Sequence, residues 1–147
     1  MSITTPTISK NTYRYIAYVR KSDERDERQM LSLKAQQDSI EAQFPDLNII
    51  DTAEPEKRSA FKPDNRPVFR SVIERIERGE ADAIVAWHPN RLARNEVDAA
   101  KITYLLRTGV IKDIKFCSYT FENTPEGIMM LQLMLNQSQY ESAKLAR

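Results

Sequence analysis

The chain has 147 residues, 41% of them hydrophobic, which is enough for one globular domain with a buried core. Its 22 lysine and arginine residues nearly balance 21 aspartate and glutamate residues, so overall charge does not indicate a nucleic acid partner, and any basic site must come from local clustering. The single cysteine excludes a disulfide within the chain, and three glycines are too few for a P-loop or a dinucleotide fingerprint.

Neither a membrane span nor a signal peptide is visible in the sequence. The longest apolar run, residues 128–135, is interrupted by Gln132 and is too short to cross a bilayer. Residues 1–10 lack the apolar segment of a signal peptide. We therefore expect a protein without membrane association and with a cytoplasmic location.

Strands and helices are predicted to alternate along the chain. Apolar, β-branched runs indicate strands, and apolar residues at helical spacing between start and stop signals indicate helices. The predicted elements, in chain order, are a loose tail over residues 1–12, a strand over 13–20, a helix from Ser32 to Pro45, a strand over 47–50, a loop over 51–65, a helix from Pro67 to Gly79, a strand over 81–87, a loop over 88–95, a helix from Val97 to Gly109, a strand over 114–117, and a helix from Pro125 to the end. This order predicts an α/β fold with a mostly parallel sheet of about four to five strands and helices on both faces.

The last helix, over residues 125–147, has apolar residues almost all the way round. They are Ile128, Met129, Met130, Leu131, Leu133, Met134 and Leu135. One face of a domain cannot cover all of them, so this helix either packs against a second copy of the chain or lies deep in its own core. Because no stop signal precedes Arg147, we expect the chain to be a piece of a longer protein.

The end of the first predicted strand carries a possible nucleophile. Tyr18, Arg20 and Ser22 alternate there, so an extended chain would point all three side chains to one side. Open α/β sheets place their chemistry at the carboxyl ends of the strands. A phosphate group could lie against this side.

Further arginines are predicted to approach the same crevice. Arg91 and Arg94 follow the third strand, and Arg66 lies in the loop before the second helix. Guanidinium groups match phosphate oxygens and stay charged at any working pH, which suits a phosphoryl transition state. Several arginines around one serine predict a phosphodiester target.

The sequence offers little support for a histidine base or a metal site. The sole histidine, His88, has no carboxylate near it in sequence to orient it, so a structural role is the better interpretation. No spacing of His, Cys, Asp and Glu resembles a set of metal ligands. We therefore predict a metal-free transesterification without a cofactor.

The motifs, taken in order, resemble the catalytic domain of the serine recombinases, the group of resolvases, invertases and large serine integrases. The family's opening Tyr-x-Arg-x-Ser motif matches Tyr18, Arg20 and Ser22. The resemblance implies that Ser22 is the nucleophile and forms a 5′-phosphoserine link to DNA. It extends from about residue 15 to the end of the chain, and the segment Ser-Leu-Lys-Ala-Gln at 32–36 would make Gln36 an active-site neighbour.

Two later segments also resemble the family. The segment 56–69 would make Ser59 a supporting residue and Arg66 a phosphate ligand. The segment Asn-Arg-Leu-Ala-Arg at 90–94 is similar to the family's Asp-Arg-Leu-x-Arg motif, which implies that Arg91 and Arg94 hold the scissile phosphate. In the last helix, the resemblance would place Glu141 near the active site.

The chain departs from the family pattern at two positions. Asn90 stands where the family usually has aspartate, and an amide can neither accept a proton nor carry charge. Ser142 replaces an arginine that follows Glu141 in the family motif. Position 90 therefore lacks the family's charged, proton-accepting carboxylate, and Glu141 lacks the arginine that follows it in the family motif.

The resemblance implies a site-specific DNA recombinase that cleaves double-stranded DNA, exchanges strands and rejoins them without ATP. It also implies a catalytic domain over residues 13–124, a helix over 125–147 that starts the oligomer contacts, homodimers that assemble into a tetramer, and a DNA-binding region after the chain. Asn90 leaves open a catalytically weak module that serves in assembly or regulation on DNA. A flavodoxin-like or receiver-like domain would fit the strand order but would leave the arginines unexplained.

Overall fold

The structure is a computed structural model that describes residues 12–20, 32–56 and 66–145, the last nine of these by backbone alone. Its elements, in chain order, are β1 (Tyr15–Ala17), α1 (Leu33–Gln43), β2 (Ile49–Thr52), α2 (Pro67–Glu77), β3 (Ala83–Ala86), α3 (Pro89–Leu92), α4 (Glu96–Arg107), β4 (Asp113–Phe116) and α5 (Pro125–Leu145). The four strands form one parallel sheet in the order β2-β1-β3-β4. The predicted α/β fold is confirmed.

Side chains of β1 alternate between two apolar cores, one on each face of the sheet. Tyr15 and Ala17 pack with Ile40 of α1, whereas Ile16 faces the core that α2, α4 and α5 form. Both cores are closed, since Ile16 and Tyr15 have no exposed surface. Helices therefore cover both faces, as the alternation of strands and helices predicted.

The carboxyl ends of β1, β2 and β3 meet at one edge of the sheet. The backbone N–H of Tyr18 donates to the carbonyl of Val85 at 2.9 Å, and the N–H of Glu56 donates to the carbonyl of Val19 at 3.0 Å. Arg20 then forms an isolated parallel bridge with Glu56. The chain therefore stays extended and paired beyond β1, which brings Arg20 to this edge.

The first strand spans Tyr15–Ala17, which is shorter than the predicted 13–20, and two other predicted segments differ more from the structure. The second strand was expected at residues 47–50 and lies at Ile49–Thr52, because Asp51 and Thr52 are polar residues of an exposed edge strand. The expected loop at 88–95 contains the short helix α3. Pro89 occupies its first turn and the His88 side chain caps it, so a segment that looks like a turn in the sequence forms a helical turn.

The predicted helix ends agree with the observed backbone. Gly79 and Gly109 follow α2 and α4 with φ of 82° and 81°, the left-handed conformation that glycine adopts most readily. At the other end of α4, Asn95 is the N-cap and accepts the N–H of Asp98. None of the helices in the described part of the chain is both long and apolar enough to cross a membrane.

An ion pair lies at the opposite, amino-terminal edge of the sheet. Arg14 donates through Nε and Nη2 to the two carboxylate oxygens of Asp82 at 3.0 and 3.1 Å. The hydrogen bond from Arg14 lowers the pKa of the Asp82 carboxyl. This pair connects the residues just before β1 and β3, far along the strands from the predicted site.

Candidate functional site

The predicted site residues are only partly within the described chain. The structure describes the side chains of Tyr18, Arg20, Gln36, Arg66, Asn90, Arg91 and Arg94. Ser22 and Ser59 lie outside the described residues, and Glu141 lies in α5 with its side chain outside them. The described residues all lie near the carboxyl edge of the sheet or on elements that contact it.

Arg20 connects β1 to α3. Its side chain is fully buried, and Nη2 donates to the carbonyl of Asn90 at 2.7 Å while Nε donates to the carbonyl of Arg91 at 3.3 Å. The carbonyl of Arg20 accepts a hydrogen bond from Nε2 of Gln36 at 3.1 Å, which brings α1 to the same point. Three elements therefore meet at Arg20.

Tyr18 connects β1 to the start of α2 through a carboxylate. Its hydroxyl donates to Oε1 of Glu56 at 3.0 Å, and the same oxygen accepts the N–H of Phe69 at 2.8 Å. Burial raises the pKa of Tyr18; the charges of Arg66 and Arg20 oppose this rise and Glu56 adds to it, and the net rise keeps the phenol protonated as a donor. Glu56 thus satisfies an N–H group in the first turn of α2 while holding Tyr18.

Arg66 is enclosed in the same network. Its side chain has no exposed surface, and Nη1 donates to the hydroxyl of Tyr18 at 3.1 Å while Nη2 donates to Oδ2 of Asp98 at 3.0 Å. The guanidinium carbon lies 4.1 Å from the centre of the Phe69 ring. In this arrangement Arg66 does not reach the surface, so a contact with a DNA phosphate would require it to leave Asp98.

Asn90 and Arg91 lie in α3, and Arg94 follows it by two residues. Nη1 of Arg91 donates to the side-chain oxygen of Asn90 at 3.3 Å, and its guanidinium carbon lies 5.5 Å from the centre of the Trp87 ring. Arg91 is 2% exposed, whereas Arg94 is partly exposed. The structure therefore brings Arg20, Asn90 and Arg91 into direct contact, with Arg94 nearer to solvent.

The His88 side chain has a structural role, because it accepts a backbone hydrogen bond at the start of α3. Its Nδ1 accepts the N–H of Asn90 at 3.0 Å, which places the proton of the neutral ring on Nε2. Burial lowers the pKa of His88, and the charges of Arg91 and Arg94 lower it further, although the hydrogen bond with Asn90 opposes this. His88 is therefore neutral near pH 7 and caps α3.

The sequence did not single out two carboxylates of this network, Glu56 and Asp98. Both are buried: Glu56 accepts the hydrogen bond of the Tyr18 hydroxyl, and Asp98 pairs with Arg66. The only local signal was the position of Asp98 three residues after the cap residue Asn95. Together the groups form a positively charged, rigid edge that suits an anionic phosphate ester.

Replacing Tyr18 with phenylalanine is expected to lower the free energy of unfolding by about 1–3 kcal/mol, because Arg66 and Glu56 each lose a buried hydrogen bond. Urea denaturation measures this change. The matched control is Tyr104→Phe on the exposed face of α4, where a change below about 0.5 kcal/mol is expected. Equal effects of the two variants would contradict the role of the Tyr18 hydroxyl.

His88 is expected to titrate below 6.5, its ordinary pKa, in the folded protein. The unfolded chain then binds the proton at a higher pH than the folded chain does, so the free energy of unfolding falls as pH drops from 6.5 toward the folded pKa. Because the chain has one histidine, NMR titration of its ring protons gives the pKa directly. A value at or above the ordinary one would refute this prediction.

Comparison with known proteins identifies the fold and the family. The family model described as Resolvase, N terminal domain matches residues 15–147. Comparison with curated proteins gives no match. Among solved structures, the chain is similar to the N-terminal catalytic domain of TP901-1 integrase, with a TM-score of 0.62, 19% identity, and coverage of 89% of this chain and 98% of that one.

Two further solved structures share the fold. The C-terminal catalytic domain of ISC1926 TnpA, an IS607-like serine recombinase, has a TM-score of 0.55 and 16% identity, with 82% of this chain and 76% of that one covered. A serine recombinase from Sulfolobus solfataricus has a TM-score of 0.51 and 17% identity, with 91% and 96% covered. The resemblance found in the sequence is confirmed: the chain belongs to the resolvase N-terminal domain family of serine recombinases.

Proposed function

We propose that the chain is the catalytic domain of a site-specific DNA recombinase and that Ser22 is its nucleophile. The contact of Arg20 with the backbone of Asn90 and Arg91 carries this proposal. This contact holds the segment after β3, which carries Arg91 and Arg94, beside Arg20 at the end of β1. Arg20 lies two residues before Ser22 in the chain. Family membership supports the same chemistry.

The proposed reaction exchanges one phosphoester bond for another. The Ser22 oxygen attacks the phosphorus of a DNA phosphodiester, a 5′-phosphoserine bond forms, and the bond to the 3′ oxygen breaks. The serine hydroxyl loses a proton and the 3′ oxygen gains one. Because the number of phosphoester bonds is unchanged, the reverse step can rejoin DNA after strand exchange without ATP.

The arginines would stabilise charge on the phosphorus oxygens during this step. Arg94 is the partly exposed member and would contact the phosphate first. Arg20 and Arg91 are almost fully buried and would act as fixed positive charges beneath it. Gln36 and Asn90 would support this group through their contacts with Arg20 and Arg91, and Ser59 and Glu141 stay predictions as supporting residues.

The exposed face of α5 supports assembly of several copies. Ile128, Leu131 and Leu135 are buried in the domain, whereas Met129, Met130 and Leu133 are at least 50% exposed. An apolar stripe of this kind is typical of a surface that a partner covers. We propose that double-stranded DNA and further copies of the chain are the partners, as dimers that assemble into a tetramer, and that the protein works in the cytoplasm.

A second candidate function rests on Asn90. Its side-chain oxygen accepts from Arg91 as a neutral amide, where an aspartate would form a stronger, charge-assisted bond. A chain with this weaker hydrogen bond to Arg91 would cleave DNA poorly and would serve as a recombinase-like module for assembly or regulation on DNA. The two functions differ in whether a covalent DNA adduct forms.

Replacing Ser22 with alanine is expected to abolish a covalent protein–DNA adduct, because no other group would form the phosphoserine bond. To measure this, the chain is fused to a helix-turn-helix domain whose operator sequence is known. The fusion protein is mixed with supercoiled plasmids that carry two operators, one on either side of randomised central sequences. EDTA in the buffer removes divalent metal ions. Denaturant stops the reaction, and the adducts are counted on denaturing gels.

The control for this test is Ser71→Ala, an exposed serine on α2 that should leave the adduct unchanged. An adduct that persists in the Ser22 variant would eliminate Ser22 as the nucleophile. Absence of any adduct from the unaltered fusion, across the whole plasmid library, would favour the regulatory module.

Replacing Asn90 with aspartate is expected to raise the first-order rate of adduct formation about fivefold, because a charge-assisted bond orients Arg91 toward the phosphate before the transition state, and about 1 kcal/mol of such preorganisation lowers the barrier by that factor. Quenched time courses on an adduct-forming plasmid measure the rate. Asn48→Asp, an exposed position just before β2, is the matched control. An unchanged or slower rate in the Asn90 variant would show that the amide does not limit the reaction.

A further inference from the structure

Asp98 is a buried carboxylate that touches both the arginine network and the segment that carries Arg91 and Arg94. We infer that Asp98 is a positioning residue for the DNA-cleaving site, acting through Arg66 and Asn95. This inference is based on the proposed function, since it assigns a role in that reaction. It also changes the expected role of Arg66 from a phosphate ligand to a part of the support.

One oxygen of Asp98 receives two hydrogen bonds from different elements. Oδ2 accepts from Nη2 of Arg66 at 3.0 Å and from Nδ2 of Asn95 at 2.9 Å. The backbone N–H of Asp98 donates back to Oδ1 of Asn95 at 2.8 Å. Asn95 is therefore held through both ends of its amide, and the orientation of the first turn of α4 is fixed.

Arg66 gives this arrangement a rigid base. Its guanidinium is enclosed by Asp98, the Tyr18 hydroxyl and the ring of Phe69, which belong to α4, the end of β1 and α2. A buried cation without a neighbouring anion is strongly unfavourable, so Arg66 and Asp98 stabilise each other in their buried positions. Through this pair the start of α4 is attached to β1 and α2.

The segment from Asn90 to Asn95 is therefore anchored at both ends. At its start, Arg20 binds the carbonyls of Asn90 and Arg91. At its end, Asn95 is bound by Asp98, directly after Arg94. Because displacements of about 1 Å at a reacting centre can cost about a hundredfold in rate, loss of the second anchor should reduce cleavage even though Asp98 touches no DNA.

An opposite role for Asp98 makes the opposite prediction. If Arg66 moved out to bind a DNA phosphate, Asp98 would compete with the DNA for its charge. Removing the charge of Asp98 would then tighten DNA binding or speed cleavage, and removing Arg66 would reduce the salt dependence of binding by about one phosphate contact.

The test compares Asp98→Asn, Arg66→Lys, Arg66→Gln and the double variant Asp98→Asn with Arg66→Gln in the same fusion protein. We expect Asp98→Asn to slow adduct formation at least about tenfold at saturating protein while DNA affinity and its salt dependence stay within about twofold. The double variant should be no slower than Arg66→Gln alone, because both changes remove one anchor. Arg66→Lys, which keeps the charge, should recover part of the rate.

Asp82→Asn is the control for loss of an arginine–aspartate pair at the other, more exposed edge of the sheet, and Ser71→Ala is the control for an unaltered network. Thermal unfolding of each variant shows whether stability is lost. A rate loss in Asp82→Asn as large as in Asp98→Asn would reduce the effect to general destabilisation and overturn the inference. An unchanged or faster rate in Asp98→Asn would overturn it as well.

The NMR signals of His88 give a readout that needs no DNA. His88 caps α3, so movement of the anchored segment should shift its ring resonances in Asp98→Asn and Arg66→Gln, but not in Asp82→Asn. If the unaltered fusion forms no adduct, the proposed cleavage fails, while these shifts still decide whether Asp98 positions the segment. Unchanged His88 signals in Asp98→Asn would overturn the positioning role.

Discussion

Arg20 is a cation buried at the carboxyl edge of the sheet, and its bonds to two backbone carbonyls hold the candidate site together. Nη2 donates to the carbonyl of Asn90 and Nε donates to the carbonyl of Arg91, so two successive peptide groups of α3 are bound to the end of β1. The same bonds fix where the chain turns after β3, so the location of the positive charge and the shape of the edge are set by one side chain.

Two buried carboxylates, Asp98 and Glu56, belong to the same network. Asp98 pairs with Arg66, and Glu56 accepts from the Tyr18 hydroxyl and from the start of α2. These acids accept hydrogen bonds from an arginine, a tyrosine hydroxyl and backbone N–H groups, so they tie β1, α2 and α4 together beneath the edge.

The alternation of strands and helices could be read from apolar runs, capping residues and Gly79 and Gly109, because these signals are local. The helix α3 could not, since Pro89 and Asn90 are equally typical of a turn. The burial of Arg66 was also hidden from the sequence. Its partners Tyr18 and Asp98 lie 48 and 32 residues away, and only the folded chain brings them together.

Helix α5 has one face buried in its own domain and one apolar face exposed, and this difference affects how copies of the domain could move relative to one another. Leu131 and Leu135 attach the helix to α3 and α4 of its own domain, while Met129, Met130 and Leu133 stay outside. A neighbouring molecule that covers the outer stripe gains its contacts without opening the interior of either domain. If further copies bind there, as proposed, they could separate and rejoin as intact domains, and methionine, with its flexible and polarisable side chain, tolerates more than one fit at such a surface.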